Sequence, residues 1–510
     1  MAAINVMGAF TTVGYDIAQK DVIAWPTTHD DTRGIFMIRG RGKGKFSLVR
    51  FGGWAGSVLL TTLVITGCGG TGSSAGNALA TSSPSAPSGT TPGSAGSPTF
   101  TVGGTVSGLA SGTQLELNDN GSDALTVLAN GPFTFSSPVP LDGSFAVTVA
   151  TQPTGQACTV SNGAGTRMTA NVTSVSVSCA SRPEFAYVAN TGNTVSQYAV
   201  GAGGALTALT PATVPAGINS DSITVDPSGR FAYVTNSGDN TISQYTLGPG
   251  GALAANSPPT VAAGNSPISV TVDPSGRFAY VANSGDNTIS QYTIGLDGEL
   301  TALSPATVAA GNGPFSVTVD PSGRFAYAAN EHGNEVSQYT IGADGTLTAL
   351  SPATVPAGDM PRSLTVDPSG RFVYVADAGG NEVSQYAIGA NGALAALGPA
   401  TVATGVSPKS LTVDPSGRFA YVTDADSNAV SQYAIGSDGT LLALNPATVS
   451  TGASPLAVSF DPSGRFAYVA NFDDNTISQY AIGADGTLTA LRPATVPAGI
   501  GPFSITTARP

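Results

Sequence analysis

From residue 99 onward, apolar and polar residues alternate in short runs bounded by Gly, Pro, Asn and Asp. That period of two predicts half-buried β-strands. No window after residue 70 places apolar residues at helical spacing without an intervening Gly or Pro. The strands come in two regimes. Between Thr99 and about Ala180 they follow one another irregularly, as in FTVGGTV, TQLELN, ALTVLA, SFAVTVA and NVTSVSVSC. Beyond that point the pattern repeats with a fixed step of 47 residues.

The repeat is clearest in VDPSGRFAYVTNSGDNTISQY, Val225 to Tyr245. The aspartate of DPSGRF returns at Asp226, Asp273, Asp320, Asp367, Asp414 and Asp461, and SQY occurs seven times, ending at Tyr198 and last at Tyr480. Each unit divides into four strand-like pieces, for example ISVTVD, FAYVAN, TISQYTIG and ELTALSPATV from Ile268. DPSGR suits a tight turn, with Pro at its second position and Gly supplying positive φ. Four antiparallel strands in seven copies predict a seven-bladed β-propeller over residues 182–510. The first unit begins at Phe185 with its second strand, and the chain ends with a lone first strand, PFSITT, at 502–507. That carboxy-terminal strand is expected to complete the first blade, close the ring and remove its open edges.

The irregular segment, 99–181, predicts a small β-sandwich of immunoglobulin-like kind. It holds Cys158 and Cys179, expected to form a disulfide, because in an exported protein such a pair reads as a bridge. The fold class is therefore all-β: a disulfide-bonded sandwich followed by a propeller.

Composition adds an address. Met37 opens MIRGRGKGKFSLVR, which is followed by the apolar run GSVLLTTLVITG and then Cys68. A charged region, an apolar region and a small-residue cleavage site in that order predict a signal peptide over 37–67. Residues 1–36 have no clear pattern and are expected to be a non-structural extension. The tetrapeptide Ile65-Thr66-Gly67-Cys68 resembles the lipobox of bacterial lipoproteins, which implies cleavage before Cys68, its lipidation, and anchoring in a membrane. Gly69 is not the aspartate that retains such proteins at the inner membrane, so the outer membrane or cell surface of a diderm bacterium is the expected location. Residues 68–98 are almost wholly Gly, Ser, Thr, Ala and Pro, a flexible linker. The chain carries a net charge of −13, and the part after Cys68 has 12 basic against 28 acidic residues, a net −16. Such a balance argues against a nucleic-acid partner.

YVTN at Tyr233 to Asn236, with YVAN at Tyr187, Tyr280 and Tyr468, resembles the YVTN repeats of bacterial surface propellers. The array over 183–510 also resembles the seven-bladed lactonase propellers, whose enzymatic members open 6-phosphogluconolactone. The resemblance implies the propeller fold; the family's enzymes use a richer set of His, Glu and Arg than this chain offers.

Residues that recur from unit to unit are expected to serve the architecture, the SQY tyrosines and the Asp226–Arg230 pair of the DPSGR turn, read as an exposed ion pair, among them. Chemistry is sought where the copies differ. The first residue of each inner strand is expected at the mouth of the central channel, and that column holds Asp221, Ile268, Phe315, Arg362, Lys409, Leu456 and Phe503. Lys409 is the only lysine after Cys68 and His332 the only histidine; Glu331, Glu335, Asp359 and Met360 lie in loops of the same face. Arg362 and Lys409 could bind an anion, with Asp221, Phe315, Phe503 and Asp359 beside them and His332 as a catalytic general base. Asp239, Asp286, Asp377, Asp424, Asp426, Asp473 and Asp474 form an expected acidic rim that could take calcium. No other metal or cofactor is expected, and nucleophile elbows, zinc spacings and phosphate loops are missing after Cys68. The leading expectation is a lipid-anchored extracytoplasmic binding or surface-interaction protein, with an envelope protein or a carbohydrate or lactone as ligand. The alternatives are a lactone hydrolase with its site at the channel mouth and a purely structural envelope protein.

Overall fold

The computed structural model describes residues 97–509 apart from Thr154, together with the backbone of three short strands, Val22–Ile23, Ile35–Arg39 and Phe46–Arg50. Those three pair antiparallel as one sheet, on both sides of the boundary expected at residue 36. The apolar run, Cys68 and the linker as far as residue 96 lie outside the described residues.

Two four-stranded sheets follow. One is ordered Ala164–Gly165, Phe145–Thr151, Leu115–Asp119, Asp123–Val127; the other Gln156–Ser161, Val172–Ser181, Val102–Ser107, Gly131–Thr134. The alternation read from sequence puts Leu115, Leu117, Phe133, Val147, Val175 and Val177 into one shared core. Val172–Ser181 runs parallel to Val102–Ser107, a pairing that alternation alone does not reveal. Cys158 and Cys179 are bonded, and they are register partners on adjacent strands of one sheet. The bridge therefore pins a strand pair, whereas the conserved disulfide of antibody domains spans the two sheets.

The remainder is seven four-stranded sheets arranged in a ring. The first contains Glu184–Asn190, Thr194–Val200 and Leu206–Pro215, with Pro502–Ala508 as its inner strand. The second runs Ser220–Val225, Phe231–Asn236, Thr241–Leu247, Leu253–Ala262, and five more follow at the same step. Pro502–Ala508 lies between the inner strands Ser220–Val225 and Pro455–Phe460, so the ring is closed as expected. Arg509 then forms an ion pair with Glu184, its Nε donating at 2.6 Å.

Identical residues become identical stitches between blades. The second-strand tyrosine donates its hydroxyl to a glycine carbonyl of the next blade: Tyr233 to Gly298 at 2.9 Å, Tyr280 to Gly345 at 2.7 Å, and, across the closure, Tyr468 to Gly204 at 2.7 Å. The SQY tyrosine reaches the other way, Tyr292 donating to the Ala262 carbonyl of the preceding blade at 2.8 Å. Between them the SQY glutamine, fully buried, uses both ends of its amide. Gln291 donates to the Pro305 carbonyl of its own outer strand at 3.1 Å and accepts the Leu347 amide of the next blade at 2.6 Å. The outer strand shifts register there, between Ser290 and Tyr292, and the side chain fills the gap in the ladder.

One expectation is corrected. Asp226 and Arg230 are not an exposed ion pair. The Asp226 carboxylate is buried and ties the turn's own backbone, Oδ1 accepting the amides of Arg230 at 2.8 Å and Phe231 at 2.7 Å and Oδ2 that of Ser228 at 3.0 Å. Arg230 instead lies over the Phe231 ring, 4.8 Å from its centroid. A carboxylate that accepts several amides gains more than one facing a solvated guanidinium.

The tyrosine-accepting glycines are required for two reasons. Gly345 has φ +86°, and a Cβ there would enter the ring of Phe278. Gly345→Ala should therefore lower stability by roughly 2–4 kcal/mol. Gly203→Ala, where an added Cβ meets nothing within 4 Å, should change it by less than about 0.5 kcal/mol. Denaturant midpoints of the two variants check this.

Candidate functional site

On one face of the propeller, each loop between the second and third strands pairs with the loop that leads into the same blade's inner strand. The amide of Ser237 donates to the Asn219 carbonyl and that of Gly238 to Ile218, both at 2.9 Å. An asparagine with positive φ then clips each blade to the next: Asn334 Oδ1 accepts the Met360 amide at 3.0 Å, and Asn381 Oδ1 that of Ser407 at 2.8 Å. This fixed frame carries the variable column.

The column residues hold equivalent places near the start of the inner strands, which lie side by side around the ring. Arg362 lies with its guanidinium 4.9 Å from the centroid of Phe315, its counterpart in the preceding blade. It also reaches that blade's loop, donating from Nε to Glu331 Oε1 at 2.8 Å, with Nη2 at 2.6 Å. Glu331 is buried and Arg362 about a quarter exposed, at 7% and 26% side-chain accessibility, so the pair is partly withdrawn from water. Lys409, half-buried one blade further on, makes no ion pair among the described residues. Burial pushes its ammonium below the usual lysine range and Arg362 adds to the fall, while Asp426 and Glu331 oppose it. Phe503 and Leu456 are half-buried in the same ring.

Seven-fold order sets Asp221 across the ring from the Arg362 and Lys409 blades, three blades away in either direction. Its side chain is buried, its Oδ2 has no hydrogen-bond partner, and burial pushes its carboxyl up to about 6, against a smaller opposing effect of Ser237. Asp359 is an exposed rim residue, accepting from Asn334 Nδ2 at 3.2 Å, with no hydrogen bond to Arg362 among the described residues. His332 is exposed at the loop tip next to Glu331, its backbone amide donating to the Asn312 carbonyl at 3.2 Å.

The acidic rim is smaller than the sequence suggests. Asp377 and Asp424 are fully buried and leave it. They occupy the last position of the second strand, where the other five blades carry asparagine. Asp239, Asp286 and Asp474 accept backbone amides of the facing loop, as Asp286 does from Asn265 at 2.9 Å. Among the described residues no group of three metal-ligating side chains gathers.

The pairing of Glu331 with Arg362 was not foreseen. The signal was available in the loop column Thr191, Ser237, Ser284, Glu331, Ala378, Ala425 and Phe472, where Glu331 is the single charge, one blade before the single arginine of the inner ring.

The family described as Lactonase, 7-bladed beta-propeller matches the chain over residues 145–304, 222–403 and 378–504. The chain belongs to that family. Among solved structures, a periplasmic gluconolactonase from Pseudomonas aeruginosa is similar at 22% identity and a TM-score of 0.54, over 64% of this chain and 100% of that one. A protein from Bacteroides fragilis, provisionally assigned as a 6-phosphogluconolactonase, is similar at 21% identity and a TM-score of 0.56, over 64% of this chain and 98% of that one. At such identities the likeness establishes the fold. No curated protein matches.

Asp377 gives a pH test of the frame. Burial, with a smaller push from Glu382, raises its carboxyl to about 7 against hydrogen bonds from Ser384, and Oδ1 has no partner. A raised carboxyl contributes stability that is full below the unfolded value near 4 and lost as pH rises through about 7. Asp377→Asn, which restores the residue that five of the other six blades carry, should therefore stabilise at pH 8 by roughly 1–3 kcal/mol and much less at pH 5. Denaturant midpoints at the two pH values measure the difference.

Proposed function

We propose that the protein is an exported lactone hydrolase of the propeller family, with its site at the channel mouth. The observation that carries this reading is the ring where the seven copies cease to be alike. There Arg362, Glu331 and Lys409 meet on a collar whose other ring positions are four apolar residues and Asp221, in a chain that belongs to the lactonase family. Lys409 is half-buried and so partly desolvated, and a charge in such a setting acts more strongly on a developing oxyanion than one in water. In this reading Lys409 faces the lactone carbonyl oxygen and Arg362, held flat by Phe315 and Glu331, completes that side. His332 takes a proton from water, whose oxygen bonds to the carbonyl carbon. The ring C–O bond breaks, the ring oxygen receives the proton, and a hydroxy acid leaves.

The Cys158–Cys179 bridge supports an oxidising, extracytoplasmic setting. Within the proposal Cys68 carries the lipid anchor and residues 68–98 hold the folded part off the membrane. A second reading, ligand binding without turnover, is favoured by one feature: Arg362 is already neutralised by Glu331, which leaves a small charge inventory for catalysis.

Hydrolysis of δ-lactones by the full-length protein, with spontaneous opening subtracted, tests the two readings. Turnover is expected, with Lys409→Ala lowering kcat/KM by about 100-fold or more and His332→Ala by roughly 100-fold. Background rates on every lactone would retire the hydrolase and leave the binding reading.

A further inference from the structure

We infer that the mouth selects an uncharged lactone bearing an aliphatic substituent, in preference to a phosphorylated or polyhydroxylated sugar lactone. This rests on the hydrolase reading and adds the substrate class.

Charge is the first argument. Arg362 and Lys409 are the only cations of the ring, and Arg362 is already joined to Glu331. Asp426 and Glu331 both act on Lys409, Asp221 lies across the ring, and Asp359 stands on the rim. Carboxylates thus outnumber cations around the mouth, and the chain as a whole carries −13. A phosphate ester carries close to two negative charges at neutral pH and is best bound by bidentate arginine or several donors. Here it would meet one unpaired ammonium amid net negative charge. A single desolvated ammonium matches one developing oxyanion instead.

The second argument is the surface around that ammonium. Four of the seven ring positions are Ile268, Phe315, Leu456 and Phe503, each half-buried. The loops leading into the inner strands continue the apolar character outward. Ile218, Met360, Val406 and Ile500 are large exposed hydrophobics at 53%, 39%, 51% and 74% accessibility, four of the six in the propeller, the others being Leu296 and Leu442. Met360 and Val406 precede Arg362 and Lys409 by two and three residues, in loops whose backbone is held by Asn334 and Ser427. A polyol in such a collar would leave hydroxyls unpaired at a cost of about 1–3 kcal/mol each, whereas an alkyl chain gains with each methylene covered.

The experiment compares kcat/KM of the full-length protein for δ-valerolactone, the same ring carrying a pentyl chain, glucono-δ-lactone and 6-phosphoglucono-δ-lactone. The pentyl lactone is expected to exceed both sugar lactones by about tenfold or more. Leu456→Asn and, separately, Phe503→Ser should each shrink that preference several-fold, so one poorly folding variant does not remove the test. Preference for either sugar lactone, or an unchanged preference in both folded variants, overturns the inference and leaves the hydrolase standing. Turnover of none of the four sinks the hydrolase, and this inference with it.

Discussion

The structure depends on a buried amide that serves two blades. The SQY glutamine is fully buried, and a primary amide without partners in such a place would cost on the order of 1–3 kcal/mol per unsatisfied group. Here neither end is unsatisfied. One end holds the blade's own outer strand at its register shift, and the other holds the first residue of the next blade's outer strand. The two tyrosine hydroxyls extend the same arrangement, one forward to a glycine carbonyl and one backward to the end of an outer strand. A blade removed from the ring would expose these donors and acceptors together. Cohesion therefore belongs to the interface between copies, as in other stacked repeats, and the closing strand Pro502–Ala508 matters because it lets the first blade take part on both sides.

Because the stitches use the second, third and outer strands, the beginnings of the inner strands and the loops above them are released from that duty. Those positions are where the copies diverge. The asparagine clips hold the loop backbone in place whichever side chain follows, so Ile268, Arg362 and Lys409 can occupy equivalent places on one frame. The cost of charge at such a site is visible. Arg362 is retained with an aromatic ring on one side and a buried carboxylate at its edge, and Lys409 is retained with a weakened hold on its proton. Neither arrangement favours stability over an apolar residue of similar size, which is the physical ground for reading the pair as functional.

Much of this was legible in the sequence. The step of 47, the missing first strand of the first unit and the stray strand at the end point to a closed ring of seven, since the stray strand is what the first blade lacks to have four strands like the others. The column of ring residues followed from the same arithmetic. What was not legible depended on direction within a turn or a loop. Asp226 and Arg230 are close enough in sequence to suggest an ion pair, but the tight DPSGR turn aims its own amides at the carboxylate and sends the guanidinium over Phe231. Asp377 and Asp424 share a loop with exposed acids, yet they end the second strand with side chains turned inward, onto Ser384 and Ser431. In the sandwich, alternation located the strands and the cysteines but could not tell a cross-strand bridge from one between sheets.

The same distinction bears on how many charges such a frame can hold. Repetition supplies a frame with seven equivalent places, and each charge set into it must find a counter-charge or stay partly desolvated. Glu331, the partner of Arg362, comes from the loop of the preceding blade, so one ring charge already requires two departures from the repeat. A collar with several free cations would need several such pairs or an unusually wet mouth. This chain instead fills four of the five remaining ring positions with Ile, Phe and Leu, buries the carboxyl of Asp221 at the fifth, and leaves one ammonium without an ion pair among the described residues. The apolar collar and the single desolvated lysine are then two sides of one arrangement: the first lowers the local dielectric, and the second is the charge whose reach that lowering extends.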